Sequence, residues 1–246
     1  MSACAPVATS SPVPEWLRGL WRRRSMRYAD GRVDETTTVY WLQTASAFAD
    51  IRLPAARPVS AGRSALADFD DAELLLLARQ AGFAGWTEVD GDRCLWHREV
   101  DFQPPTGVPD EGVLQHRSRV LIETGVHEAY LEIWEHLDCG SRPDHLAVPS
   151  PPPGARLIVL GNAFLYVHDR RLPLATAPSL EALAGTAAQP RAALLRLLDC
   201  EISFGRCSGG RAAWEITRST LPFREGRSLL ADPADLPSGQ PTGAQC

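Results

Sequence analysis

Between residues 128 and 136 the chain alternates with a period of two. Ala129, Leu131 and Ile133 occupy one parity, and Glu128, Tyr130, Glu132, Trp134 and His136 occupy the other. That period belongs to a β-strand. The stretch "ETTTVYWLQTASAFADIRLP" is rich in β-branched and aromatic residues and closes on a proline, as a strand or tight strand pair does. Trp41 and Gln43 share a parity there, and after a break near Ser46 so do Phe48, Asp50 and Arg52. "FAGWTEV", "RCLWHREVDF" and "GVLQHRSRVLIE" read as three further strands, separated by "DGD" and "QPPTGVPDEG", whose glycines and prolines favour turns. Before them, "SALADFDDAELLLLARQAG" predicts a helix with an acidic first turn and with Gly82 as its C-terminal cap.

The proline-rich stretch "SRPDHLAVPSPPPG" predicts a linker, because proline donates no ladder bond and prefers extended, solvated backbone. Beyond it, "ARLIVLGNAFLYVHD" and "CEISFGRCSGGRAAWEITR" predict hairpins, with short helical pieces at "SLEALAG" and "PRAALLRLLD". Many strands at short spacing with few helices exclude a βαβ fold. The expected class is mainly β: an antiparallel barrel over 15–140, a smaller β unit over 155–220, a few short helices, and flexible or wrapping tails at 1–14 and 221–246.

Alternation by itself leaves two orientations open for residues 128–136. The aliphatic row can face a core while the Glu/Tyr/Glu row is wet. Alternatively the polar row lines a barrel lumen, which suits Tyr130 and Trp134, since such amphipathic rings are common in ligand cavities. A Trp, a Gln, an Asp and an Arg on one surface of residues 41–52 also point inward, provided the charges are paired.

Composition narrows the function. The net charge is −5, lysine is absent, and the longest basic run is Arg22, Arg23 and Arg24, so the long-range field does not favour nucleic acid. No stretch approaches the roughly 18 apolar residues that span a bilayer, and the first residues lack the pattern of a secretory leader, so a cytoplasmic protein without a membrane partner is expected, while the absence of lysine suggests a GC-rich bacterial genome. Six scattered cysteines without a CxxC pair predict reduced thiols. The six histidines show no metal-ligand spacing, and no nucleophile elbow or phosphate loop occurs, so neither metal nor cofactor is expected. Haem held by a single histidine leaves no signature to read.

"GLW", Gly19 to Trp21, follows a short helical turn and opens the first strand. It resembles the G-x-W signature of lipocalin-like (calycin) barrels, in which the tryptophan closes one end under a basic residue from the last strand. The resemblance implies that Arg218 is that residue. "GFAGWTEV", "VDFQPP", "PDEG", "IETG" and "LEIWEHLD" occur in an order similar to that of a fungal family of tandem lipocalin-like proteins with no assigned chemistry. The matching positions are Phe83, Ala84, Gly85, Thr87, Asp101, Phe102, Asp110, Gly112, Glu123, Gly125, Glu132 and Trp134, about the middle quarter of the chain.

Three functions follow as expectations. The first is a protein that holds a small apolar or aromatic molecule in a lumen lined by Trp41, Gln43, Asp50, Arg98, Glu123, Tyr130 and Trp134, with a homodimer left open. The second is a cofactor-free lyase, isomerase or hydrolase in which Glu132 or Asp101 is the base and Arg52 the oxyanion partner, since desolvation by aromatic neighbours raises a carboxyl toward the range useful for proton transfer. In that stretch a salt bridge from Glu132 to Arg52 or Arg98 is the purely structural alternative. The third is a protein-interaction module. A large enclosed pocket weighs against it and a filled barrel favours it.

Overall fold

The computed structural model describes residues 13–144, 147–170, 172–185, 190–208 and 213–230. The outer parts of both tails, with Cys4 and Cys246, lie outside the described residues, as does His145.

Strands β1 (Gly19–Tyr28), β3 (Thr38–Gln43), β4 (Phe48–Leu53), β5 (Ala81–Asp90), β6 (Arg93–Asp101), β7 (Asp110–Arg117), β8 (Val120–Gly125) and β9 (Tyr130–Leu137) form one antiparallel sheet in that order. It closes on itself because β9 also pairs with β1, Trp21 opposite His136 and Tyr28 opposite Tyr130. Closure removes both sheet edges. The two-residue β2 (Val33–Asp34) adds to the far end of β1. A separate, open sheet holds β10 (Ala155–Leu160), β11 (Ala163–His168), β12 (Glu201–Cys207) and β13 (Trp214–Ser219), all antiparallel.

The barrel strands are apolar on both faces where the second sheet covers them. Leu20, Leu42, Ala49, Ile51, Ala84 and Phe102 point outward and are buried against Ile158, Leu165, Val167, Ile202 and Phe204. Tyr40 on β3 stacks on Phe204 of β12 with ring centroids 4.3 Å apart. Helices α1 (Asp71–Leu77), α2 (Leu180–Ala184) and α3 (Arg191–Leu198) close the rim of this core through Leu74, Leu77, Leu180, Leu194 and Leu197. The largest apolar core therefore lies outside the barrel, between the two sheets.

Several local expectations are revised. "GVLQHRSRVLIE" is a hairpin, β7 and β8, turning at Ser118 with φ +57. Helix α1 does begin with reciprocal capping by Asp70 and Glu73, but Gly82 is not its cap. The helix ends at Ala78, where Gln80 Nε2 donates to the Leu77 carbonyl and Gln103 Nε2 to the Ala78 carbonyl, and Gly82 is already inside β5. Two buried or half-buried amides thus replace the glycine, and Gln80 also reaches the Thr220 carbonyl at 2.9 Å. Arg218 does not cover Trp21; it sits in β13 and donates to the neighbouring Thr217 carbonyl. Residues 221–229 fold back along β13, with hydrogen bonds between Ile216 and residues 226 and 227 and from Leu229 to Trp214.

Because one core serves both sheets, removing a ring from it should destabilise them together. Phe204→Ala is expected to cost about 3 kcal/mol or more. Denaturant unfolding followed by far-ultraviolet circular dichroism and by tryptophan fluorescence should shift as one coincident transition; separate transitions would show that the barrel and the second sheet are independent.

Candidate functional site: the barrel lumen

The polar row of residues 128–136 faces inward at its centre: Glu132 and Trp134 are each 1% exposed, whereas Leu131 and Ile133 are half-buried on the outside. The same holds for β3 and β4. Val39, Trp41, Gln43, Phe48 and Asp50 are buried in the lumen, while Leu42, Ala49 and Ile51 point out to the intersheet core.

One end is plugged. Trp21 is fully buried and donates from Nε1 to the Leu17 carbonyl at 2.8 Å, which ties it to the turn before β1. His136 meets it edge-on with ring centroids 4.9 Å apart, and His116, stacked on Trp16, lies beyond. His136 thus packs against Trp21 where the resemblance implied an arginine. It also explains the glycine of "GLW": a Cβ at residue 19 would overlap the His136 ring. Further in, Trp41 meets Trp134 and Trp96 edge-on at 5.5 and 5.8 Å. Gln43 takes hydrogen bonds at Oε1 from Trp41 Nε1 and the Thr87 hydroxyl, so it is a satisfied interior amide.

The other end is charged. Glu132 Oε1 accepts from Arg23 Nη1 at 2.6 Å and from Arg52 Nη1 at 3.3 Å, and its Oε2, buried, has no partner. Arg23 also pairs with Asp34 at 2.7 Å, and Arg52 with Asp50 at 2.6 Å. Asp50 further accepts the Phe83 backbone N–H. Glu123 receives the Tyr130 hydroxyl at 2.8 Å and Trp134 Nε1 at 3.1 Å. Toward the mouth, Arg98 pairs with Asp101 and Asp110, and the Arg52 and Arg98 guanidinium groups lie 5.0 and 3.7 Å from the Phe83 ring centroid.

Burial shapes the titration here. Desolvation, assisted by the charge of Glu132 and opposed by the Tyr130 hydrogen bond, pushes Glu123 up to about 8, so it carries a proton at neutral pH. Desolvation likewise raises Asp50 and Asp101, against the pull of Arg52 and Arg98 respectively. Asp34 moves the other way: burial opposes its ionisation, but hydrogen bonds from Thr37 and Thr36 and the charge of Arg23 prevail and hold it at about 2. Burial also raises the Cys94 thiol, which makes it an inert lumen residue.

Of the residues singled out from the sequence, Trp41, Gln43, Asp50, Arg52, Glu123, Tyr130, Glu132 and Trp134 converge on the lumen, and Arg98 with Asp101 forms its rim. Arg23, Asp34 and Trp96 complete the site and were missed as lumen residues. Arg23 sits inside the run "WRRR", yet it shares a parity with Trp21, and that alternation is the signal that could have placed it. The packing bears on two expectations. The lumen is not an empty apolar hollow: between Trp41, Phe83, Trp96, Trp134, Arg52 and Glu123 it leaves about 10 Å³, room for about one water against the roughly 300 Å³ a drug-sized guest needs. Asp101 and Arg98 are engaged with each other at the mouth, which leaves Asp101 far less suited to proton abstraction than a free carboxylate. Among the described residues no group of three or more His, Cys, Asp or Glu side chains has metal-holding geometry, and no helix is long and apolar enough to cross a membrane.

The closed eight-stranded antiparallel barrel, with a tryptophan plug at one end, has the shape of the lipocalin-like barrels that its sequence resembles. The chain is similar in structure to a lipocalin-like protein from Bacteroides uniformis (16% identity, TM-score 0.31, covering 50% of this chain and 99% of that one). It is also similar to an uncharacterised protein from Bacteroides eggerthii (10%, 0.32, 50% and 100%) and to an uncharacterised protein from Saccharomyces cerevisiae (13%, 0.47, 81% and 84%). No protein-family model and no curated protein matches the chain.

A pH titration of stability tests the state of Glu123. Its folded pKa lies above its unfolded value of 4.5, so the stability it contributes is full below about pH 4.5 and is lost progressively as pH rises toward 8. Wild-type protein should lose on the order of 4 kcal/mol over that window relative to Glu123→Gln, whose profile lacks this component. Parallel profiles for the two proteins would show that Glu123 is ionised in the fold.

Proposed function

We propose that the barrel is a binding protein for a small cation, an amine or guanidinium compound, received at the charged end of the lumen. The carrying observation is Glu132: a carboxylate buried to 1% exposure with one oxygen shared by two arginines and the other without any partner. Around it stand the carboxyl groups of Asp34, Asp50, Asp101 and Asp110, five in all with Glu132 and leaving out the protonated Glu123, against three arginines, Arg23, Arg52 and Arg98. That imbalance, together with the indoles of Trp41, Trp96 and Trp134, favours a positive guest over a neutral apolar one.

The lack of free volume is consistent with this ligand class. Arg52, with 23% of its side chain exposed, places its own cation between Asp50 and Glu132 and so occupies the position a ligand cation would take. A ligand enters by turning Arg52 out toward the mouth, where its long side chain can remain solvated. Such a displacement makes binding weaker than direct docking and selective for groups that replace both ion pairs.

Catalysis is favoured by one observation alone, the proton held by Glu123 at neutral pH, which makes Glu123 a better general-acid candidate than the paired Glu132. A filled lumen is also what an interaction module would have, and the same experiment separates the readings. Melting temperature and tryptophan fluorescence are measured against panels of small amines, small anions and hydrophobic probes. Amines should raise the melting temperature and alter tryptophan emission together, and Glu132→Gln should weaken the best amine tenfold or more. If no compound of any class shifts either signal, the lumen binds nothing and interaction becomes the working function; a response to hydrophobic probes alone would restore an apolar guest.

A further inference from the structure

The barrel closes on itself, but the second sheet is open and has two edges. One of them is covered. Residues 226–229 run back along β13, with hydrogen bonds from Ile216 to the Arg227 carbonyl, from Gly226 to the Ile216 carbonyl and from Leu229 to the Trp214 carbonyl, and with a bridge between Glu215 and Ser228. The other edge is β10, and among the described residues no strand pairs with its outer side.

The alternation of hydrogen bonds identifies the free groups. The Cys207 N–H donates to the Asn162 carbonyl at 2.7 Å, so the even-numbered residues of β11 bond to β12 and the odd-numbered ones to β10. Leu165 and Val167 oppose Ile158 and Arg156, whose backbone groups are thereby engaged. The N–H and C=O groups of Leu157 and Val159 point the other way, out of the sheet. The Ala155 N–H donates to the Pro152 carbonyl, and Pro151, Pro152 and Pro153 have no N–H, so the open stretch is short.

A bare edge in a monomer is ordinarily guarded by a charge, a proline or a bulge within the strand. The strand "ARLIVL" is guarded by none of these: its pairing with β11 is regular, and its one charge, Arg156, lies on the barrel side, where it pairs with Glu99. It is apolar on both faces. Leu157 and Val159 pack beside Phe164, Tyr166 and Trp214, while Ile158 and Leu160 belong to the core between the sheets. Leu157 and Val159 remain half-exposed, and open clefts of about 450 and 560 Å³ flank Arg156, so the edge is approachable. A strand that completes this edge must be apolar on both faces and must carry its own unpaired backbone groups in phase. The β10 strand of another copy meets both conditions.

We propose that β10 pairs antiparallel with β10 of a second copy about a two-fold axis at Ile158, joining the two open sheets into one continuous sheet. In that register Leu157 and the partner's Val159 exchange both of their backbone hydrogen bonds, and by symmetry so do Val159 and the partner's Leu157. Arg156 falls opposite the partner's Leu160, which keeps the two arginines apart, whereas an axis at Arg156 would set them directly against each other. An axis at Leu157 would call on the Ala155 N–H, which is already engaged. The contact is small, so the dimer dissociates on dilution. It involves no lumen residue and is independent of the reading given to Glu132.

Sedimentation velocity of the full chain, in reductant so that cysteines cannot cross-link copies, is measured from the micromolar to the near-millimolar range. The weight-average mass should rise from one chain toward two and level off there. Val159→Pro removes one outward N–H and sets its ring on the edge while leaving the bonds to β11 in place, and it should raise the dimer dissociation constant at least tenfold. Leu157→Lys puts a charge at the half-exposed edge and should do the same. If the proline variant does not fold, the lysine variant decides. The proposal is overturned if wild type stays a monomer throughout, which would leave the edge to a strand from another protein, if it grows past a dimer, or if the folded variants dimerise as wild type does.

Discussion

The ion pair between Arg23 and Glu132 spans the seam where the barrel closes. Arg23 comes from β1 and Glu132 from β9, the first and last barrel strands, and both side chains are almost wholly buried. Two charges withdrawn from water are tolerable only if each keeps its partners, and removing one partner of such a pair is far more damaging than replacing both by apolar groups. The pair therefore imposes conditions on its surroundings. Asp34 must take the other end of Arg23, and Arg52 and Asp50 must sit where they do on β4. The irregularity in β1 between Arg23 and Ser25 lies beside this pair, where the strand shifts register against β9.

The rest of the architecture is arranged around that charged end. The opposite end is sealed by Trp21 against Leu17 and His136, so the lumen is approached from one side only. The indoles between the two ends shield the carboxylates from bulk water, and this desolvation is the main reason why Glu123 retains a proton. Meanwhile Leu42 of β3, Ala49, Ile51 and Leu53 of β4, and Leu20, Ala84 and Val100 of β1, β5 and β6 form an apolar outer patch, and the second sheet with its helices covers it. The barrel is thus filled with polar and aromatic groups inside and held by an oily contact outside, the reverse of a simple oil-filled core.

Much of this was legible in residue order. The period-two alternation of residues 129–134 established a strand, and the placement of Trp134 and Tyr130 on the carboxylate row favoured the inward orientation that Glu132 adopts. "GLW" located the plugged end, and the proline-rich 141–154 stretch separated the two sheets. What misled was local chemistry that tertiary contacts replaced. Gly82 looked like a helix cap, yet the side-chain amides of nearby Gln80 and of Gln103, 25 residues on, take the last helix carbonyls, and Arg218 looked like the lid of Trp21 although its strand belongs to the other sheet.

By itself, the sequence determined the strand periods, the turn positions, the antiparallel barrel class and most of the side chains that would share one surface, because these depend on φ/ψ preferences and on which neighbours lie two residues apart. Only the tertiary structure decided that Arg23 joins Glu132, that Glu123 is neutral while Asp34 is not, and that the lumen is filled. Those outcomes depend on distances of a few ångström between residues as much as 109 positions apart and on how completely water is excluded, and neither quantity is encoded locally.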